Sequence, residues 1–169
     1  MNKMHALVLW LLMVPPVYAA PIEEHDISFT LPMLTTSAGS PAKKVSLADY
    51  QDKVVYLDFW ASWCTPCLQS MPFLNELRNR EQHRGFEVIA INMDKEPADA
   101  KKFLQQHPVD YPVVYDLNGN YARQLHIAVL PTALLVAPGG RVVLMHRGFK
   151  PADQAFLEAV IDKALAVLD

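Results

Sequence analysis

The amino-acid sequence predicts an α/β fold in which helices sandwich a mixed central β-sheet. Three observations point there. Apolar β-rich runs alternate with helical patterns between residues 54 and 136. A Pro-Gly-Gly turn at 138–140 then joins two strands directly, as only an antiparallel pair allows, so the sheet is mixed. The 169 residues are 51% hydrophobic and 20% charged, enough apolar material for one real core and too much for a disordered chain.

Along the chain, the first element reads as an address. Lys3 gives a positive start, Ala6 to Val14 is apolar, and small residues follow the helix-breaking Pro15-Pro16 pair, the pattern of a secretory signal peptide. Val17 and Ala19 fit the positions three and one before a cleavage site. Cleavage is therefore expected between Ala19 and Ala20, making residues 1–19 the signal peptide. A retained membrane anchor is the alternative, but this apolar run is well short of the twenty or so residues that span a bilayer. No cysteine follows the run to carry a lipid.

Residues 20–45 form an N-terminal extension before the main domain at 46–169. Within the extension Ile27–Leu31 alternates like a short strand and residues 35–44 read as a turn region. Val45–Leu47 suggests a second short strand and Ala48–Tyr50 a helical turn. Val54–Phe59 reads as a strand buried on both faces. The helix that follows runs to about Arg80. Leu68, Met71, Leu74 and Leu77 are its expected buried face, and Pro72 kinks it by withholding the N–H due to the Leu68 carbonyl. Phe86–Asn92 is a second buried strand. Pro97 opens a helix with Ala100, Phe103 and Leu104 inward, and Tyr111–Tyr115 is a short strand. Asn118-Gly119 turns the chain into the helical segment Tyr121–Leu125. Leu130-Pro131-Thr132 leads to the strand Ala133–Val136, joined by the Pro-Gly-Gly turn to Arg141–Met145. Pro151 opens the last helix, with Leu157, Val160, Ile161, Ala164 and Leu168 on one face.

The formal charge of −3 and a pI near 6.0 leave no basic surplus for nucleic acid. Loss of residues 1–19 removes Lys3 and no acid, which makes the charge −4.

The chemistry concentrates in the only two cysteines, Cys64 and Cys67, separated by Thr65-Pro66. Two thiols exclude a disulfide-framework fold and a four-thiolate zinc site. A structural staple remains an alternative, although closing so short a loop stabilises by under about 2 kcal/mol. Cys64 falls at a strand-to-helix junction, near the helix N-cap. There the unpaired N–H groups and the positive end of the helix dipole favour a thiolate. Cys67, one turn further in, is expected to be more buried and less ionised. An exposed attacking thiol and a buried resolving thiol are what disulfide exchange requires. Neither Thr65 nor Pro66 places a positive charge beside the sulfur, so the thiolate is only moderately stabilised and the pair leans towards being a reductant.

The run Leu57-Asp58-Phe59-Trp60-Ala61-Ser62-Trp63-Cys64-Thr65-Pro66-Cys67 resembles the thioredoxin active-site motif. Pro72 falls where thioredoxins kink this helix, and Pro131-Thr132 resembles their cis-proline loop. The long separation from Cys67 to Pro131 fits an inserted helix–strand unit around residues 97–115, as in exported thioredoxins of the TlpA-like type. The resemblance covers about residues 27 to 165. It implies a thioredoxin-like three-layer sandwich and a thiol–disulfide oxidoreductase of the periplasm. It further implies clients with disulfides, apocytochromes c among them, a membrane-embedded thiol relay as electron donor, and no cofactor beyond the Cys64–Cys67 disulfide. It assigns Cys64 as nucleophile, Cys67 as resolving thiol, and Asp58 as a buried carboxyl that relays the Cys67 proton. Pro131, if cis, would bring the Leu130 backbone beside Cys64, with Thr132 following, to pair with an extended client segment. Trp63 would shield the disulfide and offer an apolar contact. The plainer alternatives are a half-exposed Asp58 at a strand end, a trans turn proline at 131 and a core tryptophan at 63. Two departures stand out. Ser70 occupies the position where many relatives carry a glutamate that handles protons, leaving Asp58 alone in that role. Val129 stands where many have glycine two residues before the loop proline, which could narrow the client groove.

Rival readings use the same residues. A copper-binding thioredoxin fold would need a third ligand beside the cysteines. Of His25, His83, His107, His126 and His146, the best placed is His126, five residues before Pro131. The expectation is nevertheless no metal. A disulfide-donating oxidase would differ only in potential. A binding-only domain would not need Cys64, Cys67, Asp58 and Pro131 together. The leading expectation is an exported, monomeric reductant of client disulfides that does not span the membrane once its signal is removed.

Overall fold

The computed structural model describes residues 27–34 and 43–168; the expected signal peptide, His25 and the first part of the extension lie outside them. A hairpin pairs β1 (Thr30–Pro32) with β2 (Lys44–Ser46) in antiparallel register, Thr30 opposite Ser46. The expected strand at 27–31 is therefore shorter and shifted. Its partner ends at Ser46, whose Oγ accepts the Ala48 N–H at 3.3 Å and starts a 3₁₀ turn at Leu47–Tyr50. β2 straddles the expected 45/46 division of the chain.

The central sheet has five strands in the order β5-β4-β3-β6-β7. Parallel neighbours are β3 (Val54–Trp60), β4 (Phe86–Asn92) and the short edge strand β5 (Val113–Tyr115). β6 (Thr132–Val136) and β7 (Val142–Arg147) complete it antiparallel, so the sheet is mixed as expected. Every residue of β3 and β4 is buried, which their largely apolar sequences anticipate, with Asp58, Glu87 and Asn92 the polar exceptions. Among the described residues four α-helices flank the sheet: α1 (Thr65–Glu81), α2 (Pro97–Gln106), α3 (Asn120–Gln124) and α4 (Gln154–Leu165). α2 with β5 is the inserted unit.

Side-chain alternation along β3 divides the interior into two cores. Val54, Tyr56 and Trp60 meet Met71, Leu74 and Leu77 of α1, Ala100 and Leu104 of α2, and Leu157 and Ile161 of α4. Val55, Leu57 and Phe59 meet Tyr121 and Ala122 of α3 and the N-terminal Ile27, Phe29 and Val45. This is the thioredoxin-like three-layer sandwich.

Two expected helix faces need correction. Leu68 is 37% exposed, whereas Cys67, Ser70, Met71, Phe73, Leu74 and Leu77 form the buried stripe of α1. Three-residue steps slip back about 60° each on a helix of 3.6 residues per turn, so Leu68 lies about half a turn from Leu77. In the last helix Leu165 is buried and Leu168 is not, because α4 ends at Leu165.

Candidate active site

β3 delivers its last residue, Trp60, to the end of the sheet from which the cysteine loop departs. Ala61, Ser62, Trp63 and Cys64 form a β-turn closed by the Cys64 N–H donating to the Ala61 carbonyl at 3.1 Å. Cys64 is the N-cap of α1, with extended dihedrals and no side-chain cap bond, and Pro66 occupies the first turn, where a missing N–H costs nothing. The Cys67 N–H donates to the Cys64 carbonyl at 3.0 Å. The two sulfurs are joined in a disulfide with the Cα atoms 5.3 Å apart.

The expected contrast between an exposed and a buried cysteine is weak in this oxidised form. Cys64 is 4% exposed and Cys67 1%. Cys67 sits on the buried stripe of α1, and Cys64 packs into the same core. Trp63, the third residue of the turn, is 71% exposed, so the core-tryptophan alternative fails; the buried indole is that of Trp60.

Asp58 lies between Tyr56 and Trp60 on the face of β3 turned towards the core that holds Cys67. It is 1% exposed, which removes the half-exposed alternative. Burial pushes its carboxyl from an ordinary value of 3.8 up to about 7. Its Oδ2 finds no hydrogen-bond partner among the described residues, and neither do the nearby Tyr111 hydroxyl and Trp60 Nε1. The phenols of Tyr56 and Tyr111 are pushed up in turn, first by burial and then by the Asp58 charge.

The Leu130–Pro131 peptide bond is cis. β6 begins immediately after it with Thr132 opposite Phe59 and Ala133 opposite Asp58. The register therefore brings the proline loop to the same end of the sheet as the cysteine turn. The loop is held by Thr132 Oγ1 donating to the Val129 carbonyl at 2.8 Å and by the Gly148 N–H donating to the Pro131 carbonyl at 2.7 Å. Leu130 is half-buried against both cores, and Val129 is exposed. Ser70 is buried and its hydroxyl donates to the Cys67 carbonyl at 3.1 Å, so it serves the helix backbone.

The histidines among the described residues do not form a metal site with the cysteines. His126 sits on the exposed turn after α3 with φ of 53°, His107 stacks on Phe103, and His146 lies on β7 with Nε2 3.5 Å from Asp153 Oδ2. Among the described residues no three His, Cys, Asp or Glu side chains converge to hold a metal ion.

A second polar group at the site escapes sequence reasoning. The buried Asp94 carboxylate, just past β4, accepts from the Ser62 N–H, the Ser62 hydroxyl and the Asn92 amide. The available signal is Asn92-Met93-Asp94 closing the apolar run at 88–91. Because β4 runs parallel beside β3, with Asn92 opposite Trp60, those polar residues fall level with the cysteine turn.

A model of the Redoxin family matches residues 27–164. The chain belongs to the Redoxin family. This Redoxin chain is 34% identical over 112 residues to the thiol-disulfide oxidoreductase ResA of Bacillus thuringiensis subsp. konkukian, a match that takes in 66% of this chain and 65% of that protein. The chain thus spans just under two thirds of the length of that curated relative. It resembles a solved structure from Chlorobium tepidum described as a thiol:disulfide interchange protein DsbE, at 42% identity and a TM-score of 0.75 over 82% of this chain and 93% of that one. It also resembles the exposed lipoprotein thioredoxin of Streptococcus pneumoniae, at 26% identity and a TM-score of 0.66 over 80% of this chain and 98% of that one. No helix among the described residues is long and apolar enough to cross a membrane.

Proposed function

We propose that this chain is a thiol–disulfide oxidoreductase that works outside the cytosol, chiefly as a reductant of disulfides in client proteins. The observation that carries the reading is a Cys64–Cys67 disulfide at a helix N-terminus, backed by a buried carboxyl, Asp58, that titrates near neutrality. Similarity to a ResA and to a DsbE-described protein supports it.

In the reduced protein the Cys64 thiolate attacks one sulfur of a client disulfide. The client S–S bond breaks, a Cys64–client disulfide forms, and the other client sulfur leaves as a thiolate that takes up a proton. Cys67 then loses its proton to the Asp58 carboxylate, whose raised pKa suits a base working near pH 7. The Cys67 thiolate attacks the Cys64 sulfur, the mixed disulfide breaks, and the client departs with its second thiol. The client has gained two electrons and two protons, and the protein is left as the disulfide of this structure. A second dithiol must restore it; a membrane-embedded thiol relay is the donor that the TlpA-like resemblance implies.

Three features guide the client. Trp63 offers an exposed apolar contact, and the Leu130 backbone beside the cis-proline, with Thr132 behind it, suits pairing with an extended segment. Val129 narrows that groove, which argues for a restricted client set even if apocytochromes c belong to it. Residues 1–19 as a signal peptide, 20–45 as an extension and 46–169 as the catalytic unit complete a periplasmic, monomeric protein. The uncharged Thr65-Pro66 pair favours reduction over the oxidase reading.

The reading is tested with Cys67→Ala, which removes the resolving thiol. This variant should accumulate a covalent adduct with a disulfide-bearing protein such as insulin, through Cys64 alone, while Cys64→Ala forms none. Equal adducts on both variants, or none on either, would overturn it.

A further inference from the structure

The turn that carries Cys64 is not held by its own residues alone. Its first central residue, Ser62, donates its backbone N–H to both oxygens of Asp94, at 3.1 and 3.0 Å, and its hydroxyl to Oδ1 at 3.0 Å. Asp94 is itself fixed. It is only 4% exposed, its Oδ2 accepts from Asn92 Nδ2 at 2.8 Å, and its own N–H donates to Asn92 Oδ1 at 3.2 Å. Asn92 is fully buried, and the Met93 N–H donates to the Trp60 carbonyl at 2.8 Å, locking the end of β4 to the end of β3 one residue before the turn begins. A carboxylate that accepts four hydrogen bonds in a buried setting is a strong clamp.

We propose that Asp94 is a positioning residue for Cys64, which, through Ser62, fixes the 61–64 turn and makes the Cys64–Cys67 pair a stronger reductant. The inference rests on the oxidoreductase reading above. Two effects act in the same direction. A fixed turn keeps the Cys64 sulfur within reach of Cys67, raising the effective concentration of each thiol towards the other and favouring the disulfide. The negative charge of Asp94 beside the turn disfavours a thiolate on Cys64, which destabilises the reduced form. The Asp94 carboxylate bonds to Ser62 and Asn92, so its influence on Cys64 passes through the turn and its charge.

The experiment is equilibration of the full chain with glutathione buffers, scored as the ratio of disulfide to dithiol, with thermal unfolding measured in parallel. Asp94→Asn keeps the side-chain volume but loses the charge and one acceptor. It should shift the equilibrium towards the dithiol by about tenfold, about 30 mV less reducing for a two-electron couple. Ser62→Ala, which removes only the hydroxyl bond, should shift it about threefold the same way, and Ser62→Thr, which restores a hydroxyl, should return it to within twofold of the parent. An equilibrium unchanged within twofold in a folded Asp94→Asn, whatever its melting temperature, would overturn the proposal. If Asp94→Asn does not fold, the Ser62 pair decides: equal shifts in Ser62→Ala and Ser62→Thr, or none in either, overturn it. The glutathione equilibrium is read without any client, so a parent protein that fails to reduce insulin would count against the oxidoreductase reading and not against this one.

Discussion

Asp58 makes the stability of this protein depend on pH in a direction opposite to that of a salt-bridged carboxylate. Its carboxyl is fully buried and pushed from 3.8 to about 7 by desolvation. In the unfolded chain the proton leaves near pH 4; in the folded protein it stays until about pH 7. Between those values the native state binds the extra proton, so stability falls as pH rises through that window and then levels off. Three units at 1.36 kcal/mol each put the loss at about 4 kcal/mol, a large share of the stability of an ordinary domain. Asp58→Asn keeps the shape and cannot ionise. Denaturant unfolding of the oxidised parent and variant between pH 4 and pH 9 is the assay. The two should agree within about 1 kcal/mol at pH 4, and the variant should be more stable by about 4 kcal/mol at pH 8. Parallel pH curves, or a variant less stable at pH 8, would refute the assignment of a buried, uncompensated carboxyl. If Asp58 takes the Cys67 proton as proposed, the same variant should slow the resolving step about a hundredfold near pH 7, seen as a persistent mixed disulfide.

Other outcomes follow from particular side chains. Trp63→Ala should leave unfolding free energy within about 0.5 kcal/mol of the parent, since the indole is exposed, yet raise KM for a protein disulfide about fivefold without changing that for a small-molecule disulfide. Leu74→Ala empties a fully buried position under the active-site helix and should cost about 2–5 kcal/mol by denaturant unfolding. Arg78 Nε lies 2.9 Å from Oε1 of the buried Glu87, tying α1 to β4; Arg78→Met strands that carboxylate and should cost about 3 kcal/mol at pH 7, most of it recovered in the double variant with Glu87→Gln.

How far the sequence carried this account depended on the range of the interaction. Val54–Trp60 and Phe86–Asn92 were legible as buried strands because each is apolar apart from one acid and, in the second, the closing Asn92, and Asp58 stood out as the one charge inside the first. The helix N-cap position of Cys64 followed from a strand meeting a proline-marked helix start, a purely local signal. Leu68 misled because leucines three apart look like a stripe while the helix turns by 3.6. The near-equal burial of Cys64 and Cys67 was hidden for a different reason: the N-cap residue packs into the same core as the helix stripe, a tertiary contact. Asp94 was the real blind spot. It is 32 residues from Ser62, and only the parallel pairing of β3 with β4 makes the two neighbours. That pairing is a tertiary fact that no window on the chain displays.

In the proposed function two thiols, and no other group, pass a pair of electrons to a client disulfide. The most direct measurement mixes reduced protein with insulin and counts free thiols on each partner by mass spectrometry after acid quenching. One Cys64–Cys67 disulfide should form for each insulin disulfide cleaved, with no reaction in Cys64→Ala. Insulin cleavage that leaves Cys64 and Cys67 reduced, or that persists in Cys64→Ala, would contradict it.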